Sequence, residues 1–213
     1  MDKDLIKDEI KKRGIKTFVH FTHIDNLSSI LQNGVLSIDE MGRHGINYQR
    51  IDENRFDKRT NWISTSITEI NSCMFWQKCI EKNLNPDDYV ILFLDPLYII
   101  DNTRYCFTSI NAASKEVANG VLYDTYNSFL SMFNDTGRKD TLLANQTTNV
   151  QAEVMVERCI PAKAIKSIAF RSYKKYCEFC INHQDTFKEI RNDIYFDYSN
   201  YAKKYFDTRK EAS

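Results

Sequence analysis

The stretch Val150-Gln151-Ala152-Glu153-Val154-Met155-Val156 constrains this chain more than any other. Its apolar period is two. Val150, Ala152, Val154 and Val156 fall on one side of an extended strand, and Gln151, Glu153 and Met155 on the other. Such a strand buries its valine side and presents the other to solvent or to a cleft. An ordinary solvated strand face satisfies the pattern. A glutamate in the middle of a covered face is costly unless water, partners or a ligand meet it. The rest of the chain has to decide between these two situations.

Length and composition set bounds. The 213 residues are expected to form one domain spanning 1–213, with its core at about 15–200. Hydrophobic residues make up 42%, enough for a sizeable core. Lys plus Arg and Asp plus Glu number 29 each, so the global basic field of many nucleic-acid binders is missing. Any nucleic-acid binding has to use a local groove. Met1-Asp2-Lys3-Asp4 is charged where a secretion signal needs an apolar run. No segment approaches the roughly 18 apolar residues of a membrane span. The six cysteines are therefore expected to be reduced thiols of a cytoplasmic protein. Cys177 and Cys180, with His183, have the spacing of half a zinc site. No second C-x-x-C closes it, and a step of three also describes one helix face, so no metal is expected.

Taken in order, residues 3–13 read as an amphipathic helix stopped by Gly14. Thr17 to Thr22 reads as a strand. Asp25 or Asn26 then caps a helix carrying Leu27, Ile30 and Leu31, and Gly34 ends it in a left-handed conformation. Residues 39–60, with Arg43, Arg50, Arg55 and Arg59, read as a long loop. Asn61 to Ile67 alternates as a strand, residues 68–82 look helical, and Tyr89 to Leu94 is an apolar run fit for a strand buried on both faces. Phe107 to Ala113 has the makings of a helix start, and Tyr123 to Phe133 of another helix. After the 150–156 strand come a strand at 164–170, a helix at 173–183, a short strand at 194–196 and a charged tail at 203–210.

Three polar clusters lie on or beside the expected strands, far apart in sequence. They are His20 with Thr22, His23 and Asn26; Arg55 with Ser64-Thr65-Ser66; and Gln151 with Glu153. A serine hydrolase lacks its G-x-S-x-G elbow here, and a Rossmann fold lacks a glycine-rich turn after a strand. Taken singly, a strand-end histidine is usually structural and an arginine-rich loop usually solvated surface.

In this order the clusters resemble the ADP-ribosyltransferase superfamily, whose signature runs from a basic or histidine residue through an S-T-S strand to a glutamate strand. The closer resemblance is to the DarT family of nucleic-acid ADP-ribosyltransferase toxins. It is carried by the H-x-x-N-L-x-x-I-L-x-x-G run from His23 to Gly34, by Tyr89-Val90-Ile91-Leu92, by Phe107-Thr108, and by Gln151-Ala152-Glu153 with Ile160-Pro161 downstream. The resemblance covers about residues 15–200. It implies an α/β (α+β) fold with a split, mostly antiparallel sheet and flanking helices. It implies an enzyme that cleaves the nicotinamide–ribose bond of NAD and moves ADP-ribose to a base of single-stranded nucleic acid, DNA before RNA. By analogy Glu153 is catalytic, Arg55 binds NAD and assists proton removal, and Val19, His20, Phe21, Ser28 and Leu36 hold NAD. Gln151 and Asn111 would meet the acceptor. A toxin–antitoxin or phage-defence role follows, with a neutralising antitoxin as partner and no membrane. Two features depart from the family. Trp62 to Ile67 replaces an aromatic, proline-rich strand, and Asn111 stands where a histidine is common. Guanine or RNA as acceptor therefore stays open. So do transfer to a protein side chain, since a Gln-x-Glu pair occurs in protein-modifying relatives, and NAD binding without turnover.

Overall fold

The computed structural model describes residues 2–49, 59–118, 120–134, 136–183, 194–198 and 202–206. It opens with α1 (Asp2–Lys12), acidic in its first turn and basic in its last, as the helix dipole favours, with Ile6 and Ile10 buried one turn apart. Then come β1 (Phe18–His23), α2 (Leu27–Asn33), β2 (Val35–Leu36) and α3 (Ile38–His44). They are followed by β3 (Trp62–Ile67), α4 (Ser72–Glu81), β4 (Tyr89–Leu94), α5 (Pro96–Asn102), β5 (Tyr105–Thr108), α6 (Lys115–Ala118) and α7 (Tyr126–Ser131). The remaining elements are β6 (Glu153–Glu157), β7 (Cys159–Ile160), β8 (Ile165–Phe170), α8 (Tyr173–Asn182) and β9 (Tyr195–Asp197). Short polar side chains start several of the helices. Asp95 accepts from the Tyr98 N–H ahead of α5, Asn71 from Met74 ahead of α4, and Ser172 from Lys175 ahead of α8.

Seven strands form one sheet in the order β5-β6-β3-β1-β4-β8-β9. Its pairings are antiparallel except β8 with β9. Strands β2 and β7 pair separately. Alternation along β4 sends Val90, Leu92 and Leu94 into the main core, with α1, α2, α5, α7 and α8. Tyr89 and Ile91 point the other way, into a second core with Phe75 and Cys79 of α4 and with Phe206. The strand is buried on both faces, as its continuous apolar run implies. The pairing of β1 with β3 stops after Phe18↔Ile67 and Val19↔Ser66. Beyond that the two strands part. The split, mostly antiparallel sheet is thus present.

Several local expectations change. Residues 105–108 form β5 rather than a helix start, because Tyr105, Phe107 and Thr108 are strand formers and β6 offers them an open edge, Phe107↔Val154 and Thr108↔Glu153. The stretch 39–60 is not one long loop. Ser37 accepts from the Glu40 N–H, Gly45 closes the end at φ 64°, and α3 lies between them. Gly34 ends α2, but at φ 82° and ψ 178°, a region only glycine holds easily; a Cβ there would sit 2.3 Å from the Ile160 carbonyl oxygen. Asn26 occupies the N-cap position of α2 but its side chain makes no capping bond there; the His23 ring accepts from the Asp25 N–H ahead of the short 3₁₀ turn at Ile24–Asn26. The strand expected from Val150 begins at Glu153, since Asn149 takes the Gln151 and Ala152 N–H groups into a turn. Arg50 and Arg55 lie outside the described residues, as do residues 207–210 of the charged tail.

Candidate active site

The wedge between β1 and β3 opens into a cleft of about 380 Å³, within the range of small-molecule sites. Val19 to His23 of β1 form one wall and Trp62 to Ser66 of β3 the other, and Gln151, Glu153 and Asn111 to Ala113 also line it. Leu36, Ile38 and Met41 add an apolar shelf from β2 and α3. The segment from Ile46 to Gln49 also lines the cleft and is pinned by Asn26. The Asn26 amide donates to the Gln49 carbonyl at 2.8 Å and its Oδ1 accepts from the Gln49 N–H at 2.8 Å. That two-point clamp is what the Asn26 side chain makes in place of a capping bond.

Glu153 is the first residue of β6 and only 7% exposed. Burying a carboxylate is costly unless it is hydrogen-bonded. Here Ser64 Oγ donates to Oε1 at 2.7 Å and the Ala112 N–H donates to Oε2 at 3.2 Å. The same serine joins Glu153 to His20, because His20 Nδ1 lies 2.9 Å from the Ser64 carbonyl oxygen. A carbonyl can only accept, so Nδ1 carries the proton. The histidine thus spans the gap where β1 and β3 have parted. Thr65, on the opposite side of β3, donates to the Val154 carbonyl at 2.8 Å and ties β3 to β6.

The shelf is held by charge. Glu40 of α3 is buried and meets Arg158 Nε at 2.6 Å and Arg43 Nη1 at 2.5 Å. The Arg158 guanidinium in particular holds the Glu40 carboxyl below its ordinary value. Cys106 of β5, opposite Met155 of β6, is buried, and burial pushes its thiol up to about 12, which disfavours the thiolate.

The structure brings together residues that the sequence spread over more than a hundred positions. Val19, His20, Phe21, Leu36, Asn111, Gln151 and Glu153 all line the one cleft. Ser28 does not; its hydroxyl lies 2.9 Å from His183 Nδ1, and the neighbouring Ser29 lines the cleft instead. Arg59 is not at the cleft. Its Nη2 donates to the carbonyls of Val117 at 2.9 Å and Gly120 at 2.8 Å. Sequence reasoning missed the Ala112 N–H, which no side-chain pattern announces, and the contribution of Asn71 and Met74 from the cap and first turn of α4. Among the described residues no group of three or more His, Cys, Asp or Glu is placed to hold a metal.

The protein-family model described as "ssDNA thymidine ADP-ribosyltransferase, DarT" matches residues 19–196. The chain belongs to the DarT family. As a member it is an ADP-ribosyltransferase acting on single-stranded DNA. Among curated proteins none matches. Solved structures of DarT proteins share the fold. Thermus sp. 2.9 DarT in complex with NAD+ is 16% identical with a TM-score of 0.61, the match covering 89% of this chain and 96% of that one. The same protein in complex with ADP-ribosylated ssDNA gives 15% identity and a TM-score of 0.62, over 90% and 96%. Thermosipho africanus DarTG in complex with ADP-ribose gives 16% and 0.63, but this chain spans only 51% of that longer protein.

Proposed function

We propose that the cleft binds NAD and that Glu153 drives transfer of its ADP-ribose to a base of single-stranded DNA. The observation that carries the reading is the Glu153 carboxylate held by Ser64 and Ala112 across the split from His20. Breaking the bond between ribose and nicotinamide builds positive charge on the ribose, as in glycoside hydrolysis. A fixed, water-shielded carboxylate stabilises that charge without reorganising. Ser64 and the Ala112 N–H donate to the two oxygens of Glu153 and hold it oriented. On this reading Val19, His20, Phe21 and Leu36 position the dinucleotide, Arg55 contributes a cation to it, and Gln151 faces the acceptor base. Gln151→Ala should then damage transfer more than NAD cleavage; equal loss of both counts against that role.

Incubation with labelled NAD and separate pools of DNA, RNA and protein tests the assignment. Label in single-stranded DNA supports it. Label only in RNA or in protein selects those acceptors instead, and label nowhere leaves an NAD-binding module. The acceptor base follows from oligonucleotides each lacking one base. Thymine is the base in the family's description, and guanine is the alternative raised by Trp62 to Ile67 in place of an aromatic, proline-rich strand. Modifying DNA harms the host. The toxin role, a cytoplasmic setting and a neutralising antitoxin complete the reading, supported by likeness to the DarTG protein. Among the described residues no helix is long and apolar enough to cross a membrane.

A further inference from the structure

We infer that Asn111 is a positioning residue, which sets the Glu153 carboxylate in place through the backbone N–H of Ala112; its role in turnover rests on the reading above. Asn111 Oδ1 accepts the Ala113 N–H at 2.8 Å. This side-chain-to-backbone ring, two residues long, is a turn that asparagine forms readily. A backbone bond from Ser114 N to the Asn111 carbonyl, 3.0 Å, closes the same turn from outside. The peptide between Asn111 and Ala112 is therefore fixed from two directions, and its N–H points at Glu153 Oε2 at 3.2 Å.

The surroundings make this contact more than a loop detail. Ala112 is 2% exposed and packs with Cys106 and Met155, so its N–H has no water to turn to. The loop is anchored on both sides of the turn. Thr108, directly opposite Glu153 in the β5–β6 register, donates through its hydroxyl to the Ile110 carbonyl at 2.8 Å. Arg59 holds the carbonyls of Val117 and Gly120 downstream. Between these anchors, the Asn111 ring aims the peptide. Without it the remaining backbone turn is free to tilt, and Ala112 stops holding Oε2. Ser64 still holds Oε1, but Oε2 loses the Ala112 donor that sets the plane of the carboxylate about its last side-chain torsion. A carboxylate whose orientation is lost stabilises developing charge poorly, at a cost of about ten- to a hundredfold in rate.

Two measurements on the full chain decide this. The first is hydrogen exchange of the Ala112 amide, followed by NMR. It should be slow in the wild type, fast in Asn111→Ala, and partly restored in Asn111→Ser, whose hydroxyl accepts the same N–H in a weaker turn. The second is steady-state kinetics with NAD and a single-stranded oligonucleotide. Asn111→Ala should lower kcat about ten- to a hundredfold with both KM values unmoved, and Asn111→Ser should recover part of the loss. Unchanged Ala112 exchange in Asn111→Ala overturns the inference. So does a raised KM for the oligonucleotide with kcat intact, which makes Asn111 a substrate contact. A wild type that neither cleaves NAD nor transfers from it overturns the functional reading instead, while the exchange measurement still decides the Asn111–Ala112–Glu153 linkage by itself.

Discussion

Strand β1 treats its two neighbours unequally. With β4 it stays in register over six residues, from Phe18↔Leu94 to His23↔Tyr89. With β3 it holds only Phe18↔Ile67 and Val19↔Ser66. On the β4 side both faces of the sheet are sealed by large cores. On the β3 side the valines of β6 join the main core, while among the described residues the other face carries a small cluster of Cys106, Ala112 and Met155, with Trp62 and Leu122 against them. One half is scaffold in which apolar burial dominates. The other gives up strand pairing and apolar cover: the Ser64 carbonyl meets His20 across the split, and beside it the Ser64 hydroxyl and the Ala112 N–H hold Glu153. The cleft opens where the sheet comes apart, because paired strands would leave no room between β1 and β3.

The sharpest break between the two halves is at Glu153. Glu153→Gln keeps the size and can still accept from Ala112 N–H while donating to Ser64, so the melting temperature should barely move. The charge is gone, and transfer should fall by about a thousandfold or more. Loss of activity together with unfolding would instead place Glu153 among the structural groups.

A pair of core truncations sharpens the contrast. Leu92 of β4 is fully buried in the main core, and Leu92→Ala should cost about 3–4 kcal/mol of stability. The kcat of the molecules that remain folded should hold. Met155→Ala should cost less, about 2–3 kcal/mol, because its cluster is small. Yet it removes the floor under Ala112 and should lower kcat. Chemical denaturation and kinetics on the same samples separate the two; equal kcat in both variants would show that the thin half is as rigid as the thick one.

Next comes Ser64→Ala, which removes the hydroxyl from Glu153 Oε1 but leaves the backbone carbonyl that meets His20. A lost charge-assisted hydrogen bond is worth about 1.5–3 kcal/mol, so kcat should fall by about ten- to a hundredfold, well short of Glu153→Gln. An unchanged kcat would mean the carboxylate keeps its orientation without the Ser64 hydroxyl.

The same contrast explains what was legible in the sequence. The scaffold half announced itself through periodicity. Tyr89 to Leu94 and the α2 residues Leu27, Ile30 and Leu31 fold as their spacing implies. The polar half was legible through ordered residue types, His20, Ser64, Gln151 and Glu153, and these do converge on one cleft. What escaped were features decided by tertiary contact. Tyr105 to Thr108 becomes a strand because β6 offers an edge. Ser28 turns to His183, 155 positions away. The Ala112 N–H has no sequence signature at all. Helix α3 was a different kind of miss, since Ser37, Glu40 and Gly45 are ordinary start and stop signals masked by the high charge around them.

The smallest effect concerns the shelf and is a matter of pH. Glu40 joins α3 to Arg158, at the bend between β6 and β7, with Arg43 beside it and His44 3.7 Å from its other oxygen. Arg158 first, and Arg43 after it, hold the folded carboxyl below its ordinary value of 4.5, against the opposing pull of burial. A carboxyl depressed in the folded state binds its proton more readily in the unfolded one. Its stabilisation is therefore fully present above about pH 4.5, and it drains away as the pH falls through the lower folded value. Glu40→Gln should melt slightly below the wild type at neutral pH, and the gap should close on acidification. Melting curves of both proteins from about pH 7 to about pH 3 test this. A gap that stays constant across that range would assign the shelf's attachment to packing by Ile38 and Met41 and not to the Glu40–Arg158 pair.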